Sequence, residues 1–188
     1  MTAFFIIIGC IAIAIYVLGT YGNNKQKKYE NSEIERLKKE SIELFDCTKN
    51  YDGIIGVDNI SKKIVIINSK FSKTHLINFQ DIIDCEINKD GQTVFKKSLA
   101  RTVGGVVVGG VVFGGVGALI GGLSGSSKAN ELINKIEIVI VAKNMSQRNF
   151  RFVFYHKSYY NKALLNKSIS QADSWVNKVL SIIEHNNK

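Results

Sequence analysis

Proline is absent from the 188 residues, tryptophan occurs once, and cysteine and histidine occur three times each. The missing proline, beside abundant Lys, Asn and Ile, is the composition of an AT-rich bacterial coding sequence. Cys10, Cys47 and Cys85 are too few and too scattered for a disulfide framework. They fit a reduced, cytoplasmic setting, with Cys47 and Cys85 as small core hydrophobes. His75, His156 and His185 stand alone, without a second ligand at metal-binding spacing, and read as surface or half-buried imidazoles. No Ser/His/Asp or Cys/His pairing emerges from the spacing, so the sequence nominates no catalytic residue, cofactor or metal, and predicts a non-enzyme.

Acidic residues are also scarce, 16 against 25 Lys and Arg, for a net charge of +9. Between Ala3 and Tyr21 there is no charge at all. About 20 apolar residues rising 1.5 Å each match a hydrocarbon core of about 30 Å, which predicts a transmembrane anchor over 1–22. Tyr16 and Tyr21 fall where amphipathic rings favour the interface, and Lys25, Lys27 and Lys28 follow at once. With no positive charge before the block, the bulk of the chain is expected on the cytoplasmic side of the cell membrane. A cleaved signal peptide would have a basic start and a shorter apolar core. Ile7-Ile8-Gly9-Cys10 has the look of a lipobox, but few apolar residues precede Cys10 and the run continues well past it.

Residues 23–49 read as a basic, amphipathic linker helix. From Glu30 to Phe45, Ile34, Leu37, Ile42, Leu44 and Phe45 recur near helical spacing, with Glu33, Arg36, Lys39, Glu40 and Glu43 between them. The pattern is too short for a coiled coil.

From residue 50 the period changes to that of strands. Ile54–Val57, Lys63–Asn68, His75–Asn78, Ile82–Ile87, Ile136–Ala142 and Phe150–Tyr155 are short runs of Ile, Val and Phe. Asp58-Asn59, Asn68-Ser69 and Lys89-Asp90-Gly91 separate them, and Asp90-Gly91 is a hairpin signal. The Phe150, Phe152, Phe154 alternation predicts a core-facing strand rather than a base-stacking platform, and no nucleic-acid partner is expected. A C-terminal helix follows. Ser170 and Asp173 resemble a capping box, Ser158 a cap for an earlier turn, and Ala172, Val176, Val179 and Ile183 form a stripe widened by Trp175 and Leu180.

A second apolar block, 102–123 within an insertion at 98–127, interrupts this domain. Gly105 and Gly109, Gly110 and Gly114, and Gly117 and Gly121 are four apart, which places them on one helical face for close backbone packing. Gly costs about 1 kcal/mol relative to Ala in a water-exposed helix, so such a segment suits a bilayer or a helix partner. Gly115-x-Gly117 is a fragment of a dinucleotide fingerprint, but the third glycine comes late and no GK[S/T] follows. A Gly/Val loop without membrane contact is the plainer alternative. Strands on both sides of one 22-residue block must share a side of the membrane, which favours a hairpin bending near Gly114-Gly115 or Gly117, or an interfacial element. Lys96, Lys97 and Arg101 before the block, and Lys128 after it, suit two ends meeting one anionic surface. Lys62, Lys63, Lys70 and Lys73 are expected around one hairpin, as lipid-facing cations or as solvated turn residues.

The run Asp81-Ile82-Ile83-Asp84-Cys85-Glu86-Ile87 followed by Asp90-Gly91 resembles the middle strands of bacterial pleckstrin-homology-like (PH-like) proteins. So does the step from Arg101 into Phe113-Gly114-Gly115-Val116-Gly117-Ala118, typical of small Gram-positive and prophage-type proteins with a glycine-zipper insertion. The resemblance spans about residues 50–185. It implies an α+β fold: an antiparallel sheet or open barrel over 50–188, closed by the C-terminal helix and interrupted by a glycine-zipper hairpin. The whole then reads as a membrane-anchored binding module for lipid head groups or a membrane partner protein, envelope- or phage-related. The alternative is an effector that oligomerises through its glycine zipper and perturbs the bilayer.

Overall fold

The computed structural model describes residues 22–50, 52–96, 133–158 and 164–186. The predicted anchor up to Tyr21 and the glycine-rich block lie outside them. Among the described residues no helix is long and apolar enough to cross a membrane.

Among the described residues, eight strands form two antiparallel four-stranded sheets. The first runs in chain order through β1 (Asp46–Lys49), β2 (Gly53–Asp58), β3 (Lys63–Asn68) and β4 (Lys73–Asn78). A 3₁₀ turn, Phe79–Asp81, leads into the second, which contains β5 (Ile82–Lys89), β6 (Gln92–Lys96), β7 (Lys135–Ala142) and β8 (Asn149–His156) in the order β6-β5-β7-β8. The predicted Asp90-Gly91 hairpin is present: Lys89 pairs with Gln92, and both turn residues have positive φ, 51° and 87°. That is the backbone a two-residue hairpin turn requires.

The inner faces of both sheets enclose the main core. Ile55, Val57, Ile64, Ile66 and Ile77 meet Ile87, Ile136, Ile138, Ile140 and the three phenylalanines of β8. Helix α2 (Leu165–Asn186) lays the predicted stripe Ala172, Trp175, Val176, Val179, Leu180 and Ile183 into this core. Trp175 donates from Nε1 to Thr48 Oγ1 at 2.7 Å, which joins the helix to β1. The predicted capping box is corrected, because α2 starts at Leu165 and Ser170 lies inside it. Burial of Ile169, at 1% exposure, outweighs the local capping preference.

The first sheet is buried on its outer face as well. Helix α1, residues 22–39, lies across it, and Leu37 and Ile42 pack with Ile54, Val65 and Ile67. Tyr29, Ile34, Leu44 and Leu76 rim that second core. This is why β2 and β3 read as continuous apolar runs rather than as alternating ones. The predicted helix from Glu30 to Phe45 ends early: the chain turns at Glu40-Ser41, where Ser41 takes φ 59°, and Phe45 is 58% exposed. Phe45 instead donates its N–H to Val57 O, at the start of the β1–β2 pairing. Strand β1 therefore falls within the segment read as linker, and Cys47 in it is exposed, unlike buried Cys85.

Candidate functional site

Antiparallel pairing gives each sheet two ends, and polar contacts show which ends coincide. At one end lie the β1–β2 loop and the β3–β4 turn. Asn50 Oδ1 accepts from Asp52 N at 3.0 Å and from Gly53 N at 3.2 Å, and its amide Nδ2 donates to Val153 O on β8. Ser69 Oγ and Lys70 N both donate to Asp52 O. The Asp52 carboxyl is buried, with Lys70 Nζ 3.8 Å from Oδ1. Burial pushes its pKa above the ordinary carboxylate value, against the pull of Lys70, His156 and Lys135. Lys135 begins β7 and His156 ends β8, so this end of the first sheet meets that end of the second.

The chain returns from the insertion at the same place. Asp90 Oδ1, in the β5–β6 turn, accepts from Asn134 N at 2.9 Å and Lys135 N at 2.7 Å, while Lys157 N donates to Asn134 O. Ile133 is buried, so the returning strand is pinned from its first described residue. One step inward, buried Glu137 takes ion pairs from Lys135 at 2.9 Å and Arg151 at 2.8 Å.

Helix α1 also points here. Tyr29 hydroxyl meets Thr74 Oγ1 at 3.0 Å and Glu30 pairs with Lys49, both beside the β3–β4 and β1–β2 connections. Past its C-terminus, Glu43 N donates to Asp58 Oδ2 at the other end of the sheet. The N-terminal residues of α1 therefore overhang this end by about 10 Å, at 1.5 Å per residue. The overhang carries Lys25, Lys27 and Lys28, all exposed.

This end is basic. Lys70, Lys73 and Lys157 are exposed, and Lys89 and Lys135 are half-buried. Its carboxylates are engaged within the protein: Asp52 is buried, Glu30 is buried against Lys49, and Asp90 holds the start of β7. The distal end is mixed in charge: Glu43 is exposed, Asp46 pairs with Lys178, Asp58 and Asp81 are buried, and Lys62 is exposed beside them. There a cleft of about 590 Å³ opens between the β2–β3 turn, the 3₁₀ turn and the end of α2, where Asn186 Nδ2 donates to Phe79 O.

The cations foreseen around one hairpin are thus divided. Lys70 and Lys73 belong to the basic end, while Lys62 and Lys63 start β3 at the distal end. Lys96 ends β6 opposite Glu86. Gly105, Gly109, Gly110, Gly114, Gly117, Gly121, Lys97, Arg101 and Lys128 lie outside the described residues. The roles of Asp52 and Asp90 gave no signal beyond a turn in the sequence, because both depend on partners tens of residues away.

Comparison with known proteins agrees with this architecture. A family model described as a glycine zipper containing PH domain matches residues 41–156. The chain is 27% identical over 200 aligned residues to the SPbeta prophage-derived uncharacterized membrane protein YomJ of Bacillus subtilis (strain 168), covering 95% of this chain and 84% of that one. It is also 27% identical to a protein named "Immunity protein" of Bacillus phage SPbeta, covering 95% of each. None of these names denotes an enzyme. No solved structure matches the chain. Two antiparallel sheets closed by a C-terminal helix, with the chain leaving after β6 and returning into β7, place this protein in the family of glycine zipper containing PH domains.

Proposed function

We propose that this protein is a membrane-anchored, non-enzymatic binding module whose basic end meets the anionic face of a bilayer, contacting lipid head groups or a membrane partner protein. The direction of α1 supports this reading best. It carries the chain toward the uncharged block before residue 22 at the same end where the chain returns from the glycine-rich block. The uncharged block and the return from the glycine-rich block then face one membrane surface, and the sheet lies on one side of it. Each Lys or Arg held near anionic lipid contributes roughly 1 kcal/mol, and this end gathers them. The relative named as an immunity protein favours an envelope- or phage-related role.

Sided thiol labelling in intact cells tests the topology, with Ser98→Cys and Ser126→Cys placed singly in a chain lacking its native cysteines. Protection of both from an impermeant reagent until the cells are permeabilised is the expected result. Labelling at Ser126→Cys alone from outside would sink the reading. The glycine zipper named by the family favours a second reading, a membrane-active effector built from several copies. Gly109→Leu, Gly114→Leu and Gly117→Leu together should then abolish loss of membrane potential; persistent loss would refute it.

A further inference from the structure

The turn between β3 and β4 presents Phe71 to solvent at 64% exposure, on the end that the reading above turns toward the bilayer. A lone exposed apolar side chain is ordinary on a protein surface. What distinguishes this one is how it is held and where it sits. Asn68 Oδ1 accepts from Phe71 N at 3.3 Å, Ser72 N donates to Ser69 O at 3.4 Å, and Ser72 takes the left-handed φ of 50°. The base of the turn is fixed to the β1–β2 loop through Ser69 and Lys70, which both donate to Asp52 O. Lys70 Nζ lies 3.8 Å from Asp52 Oδ1 and 5.5 Å from the centre of the Phe71 ring. The tip is therefore preorganised, and little conformational freedom remains to be lost on contact.

We propose that the Asn68–Lys73 turn is a second membrane contact, in which Phe71 enters the interface of an anionic bilayer while Lys70 and Lys73 lie at the level of the phosphates. The proposal rests on the membrane-anchored reading and adds to it a defined wedge. Charge complementarity selects the occupant. Exposed cations surround the tip, and the carboxylates of this end are engaged inside the protein. The distal end offers an internal control. Its β2–β3 turn is built alike, with Asp58 Oδ1 accepting from Ile60 N at 2.8 Å and Lys62 at φ 56°. It displays Ile60 at 73% exposure, but at the end away from the overhang of α1 and from the return into β7.

The experiment uses the full chain reconstituted into phosphatidylcholine vesicles with or without phosphatidylglycerol. Cys10→Ser, Cys47→Ser and Cys85→Ala remove the native thiols. Phe71→Cys or Ile60→Cys then carries an environment-sensitive fluorophore, read with a quencher borne on the lipid. The expected result is a blue-shifted, severalfold more strongly quenched probe at position 71 than at 60, and stronger quenching on the anionic vesicles. Vesicles that float with the protein while neither probe is quenched would overturn the wedge and leave the anchor standing. Quenching at position 60 rather than 71 would overturn the orientation. Failure of the protein to float with the vesicles would overturn the membrane-anchored reading itself.

Discussion

Truncating Leu37 tests whether α1 is part of the folded body or a tether. Leu37 is 1% exposed and packs among Ile42, Ile54, Val65 and Ile67 on the outer face of the first sheet. Leu→Ala in a closed core costs about 2–5 kcal/mol, and the upper part of that range comes from the empty cavity left behind. Here the site borders an open cleft of about 410 Å³, also lined by Ile34, Leu44 and Cys47, into which neighbours and water can move. Leu37→Ala is therefore expected to cost about 2–3 kcal/mol, the lower part of the range. In a chain of this size that lowers the midpoint of thermal unfolding by roughly 4–12 °C. Denaturation of the detergent-solubilised full chain, followed by fluorescence of the single tryptophan, measures it. Trp175 is buried on the opposite side of the first sheet from α1 and bonded to β1, so it reports unfolding of the body rather than fraying of the helix. The exposed-site control Ile60→Ala should stay within about 0.5 kcal/mol. A loss from Leu37→Ala as small as the control's would mean that α1 is a tether, and the orientation derived from its direction would fall with it.

Gly53→Ala should be at least as damaging. Gly53 has φ +151°, and a Cβ there would sit 1.8 Å from Ile67 O and 3.0 Å from Ser69 N. Both are backbone atoms, so β2 and β3 must separate where the turn is anchored; a loss above about 3 kcal/mol is expected, in keeping with strained backbone plus broken pairing, and a near-neutral variant in the same denaturation assay would refute the register. Trp175→Phe removes the donor to Thr48 and should cost about 1–3 kcal/mol, read by circular dichroism; adding Thr48→Val should recover part of it, and failure to do so would remove that hydrogen bond from the account. Asp52 gives a pH signature. Burial raises its folded-state pKa, so its contribution to stability is present below the ordinary Asp value, about 3.9, and is lost as pH rises through the folded value. Asp52→Asn should be more stable than the parent at neutral pH, with the gain fading on acidification; a loss at neutral pH would show that the attraction of Lys70, His156 and Lys135 outweighs burial.

Much of the second sheet could be read directly, because β7 and β8 alternate or run apolar, and Phe150, Phe152 and Phe154 all enter the core as expected. The stripe on α2 was equally plain. The first sheet was only half legible. The runs at Ile54–Val57 and Lys63–Asn68 announce strands buried on both faces, yet nothing local says that the second face is covered by a helix from the preceding segment. Strand β1, Asp-Cys-Thr-Lys, has no apolar alternation, since its side chains are largely exposed at an edge and pairing with β2 alone defines it. The start of α2 was missed because Ser170 and Asp173 satisfy a local pattern, whereas the core contact of Ile169 extends the helix beyond it. The basic end was least legible of all. Its parts come from Lys70, Asp90, Lys135 and the overhang of α1, brought together only by antiparallel pairing, and the two lysine pairs that seemed to share a hairpin lie at its opposite ends.

The reversal between α1 and β1 fixes how neighbouring copies can meet. On the membrane-anchored reading proposed above, the helix and the returning strand β7 open toward one end, so every copy seated in the same leaflet stands with its Asn59–Lys62 turn at one height, roughly the 27 Å length of an 18-residue helix from the surface. On that reading, contacts between copies in one leaflet keep the copies parallel, which leaves cyclic symmetry about the membrane normal and excludes an antiparallel pair. On that reading the clefts beside His185 all face away from the lipid together.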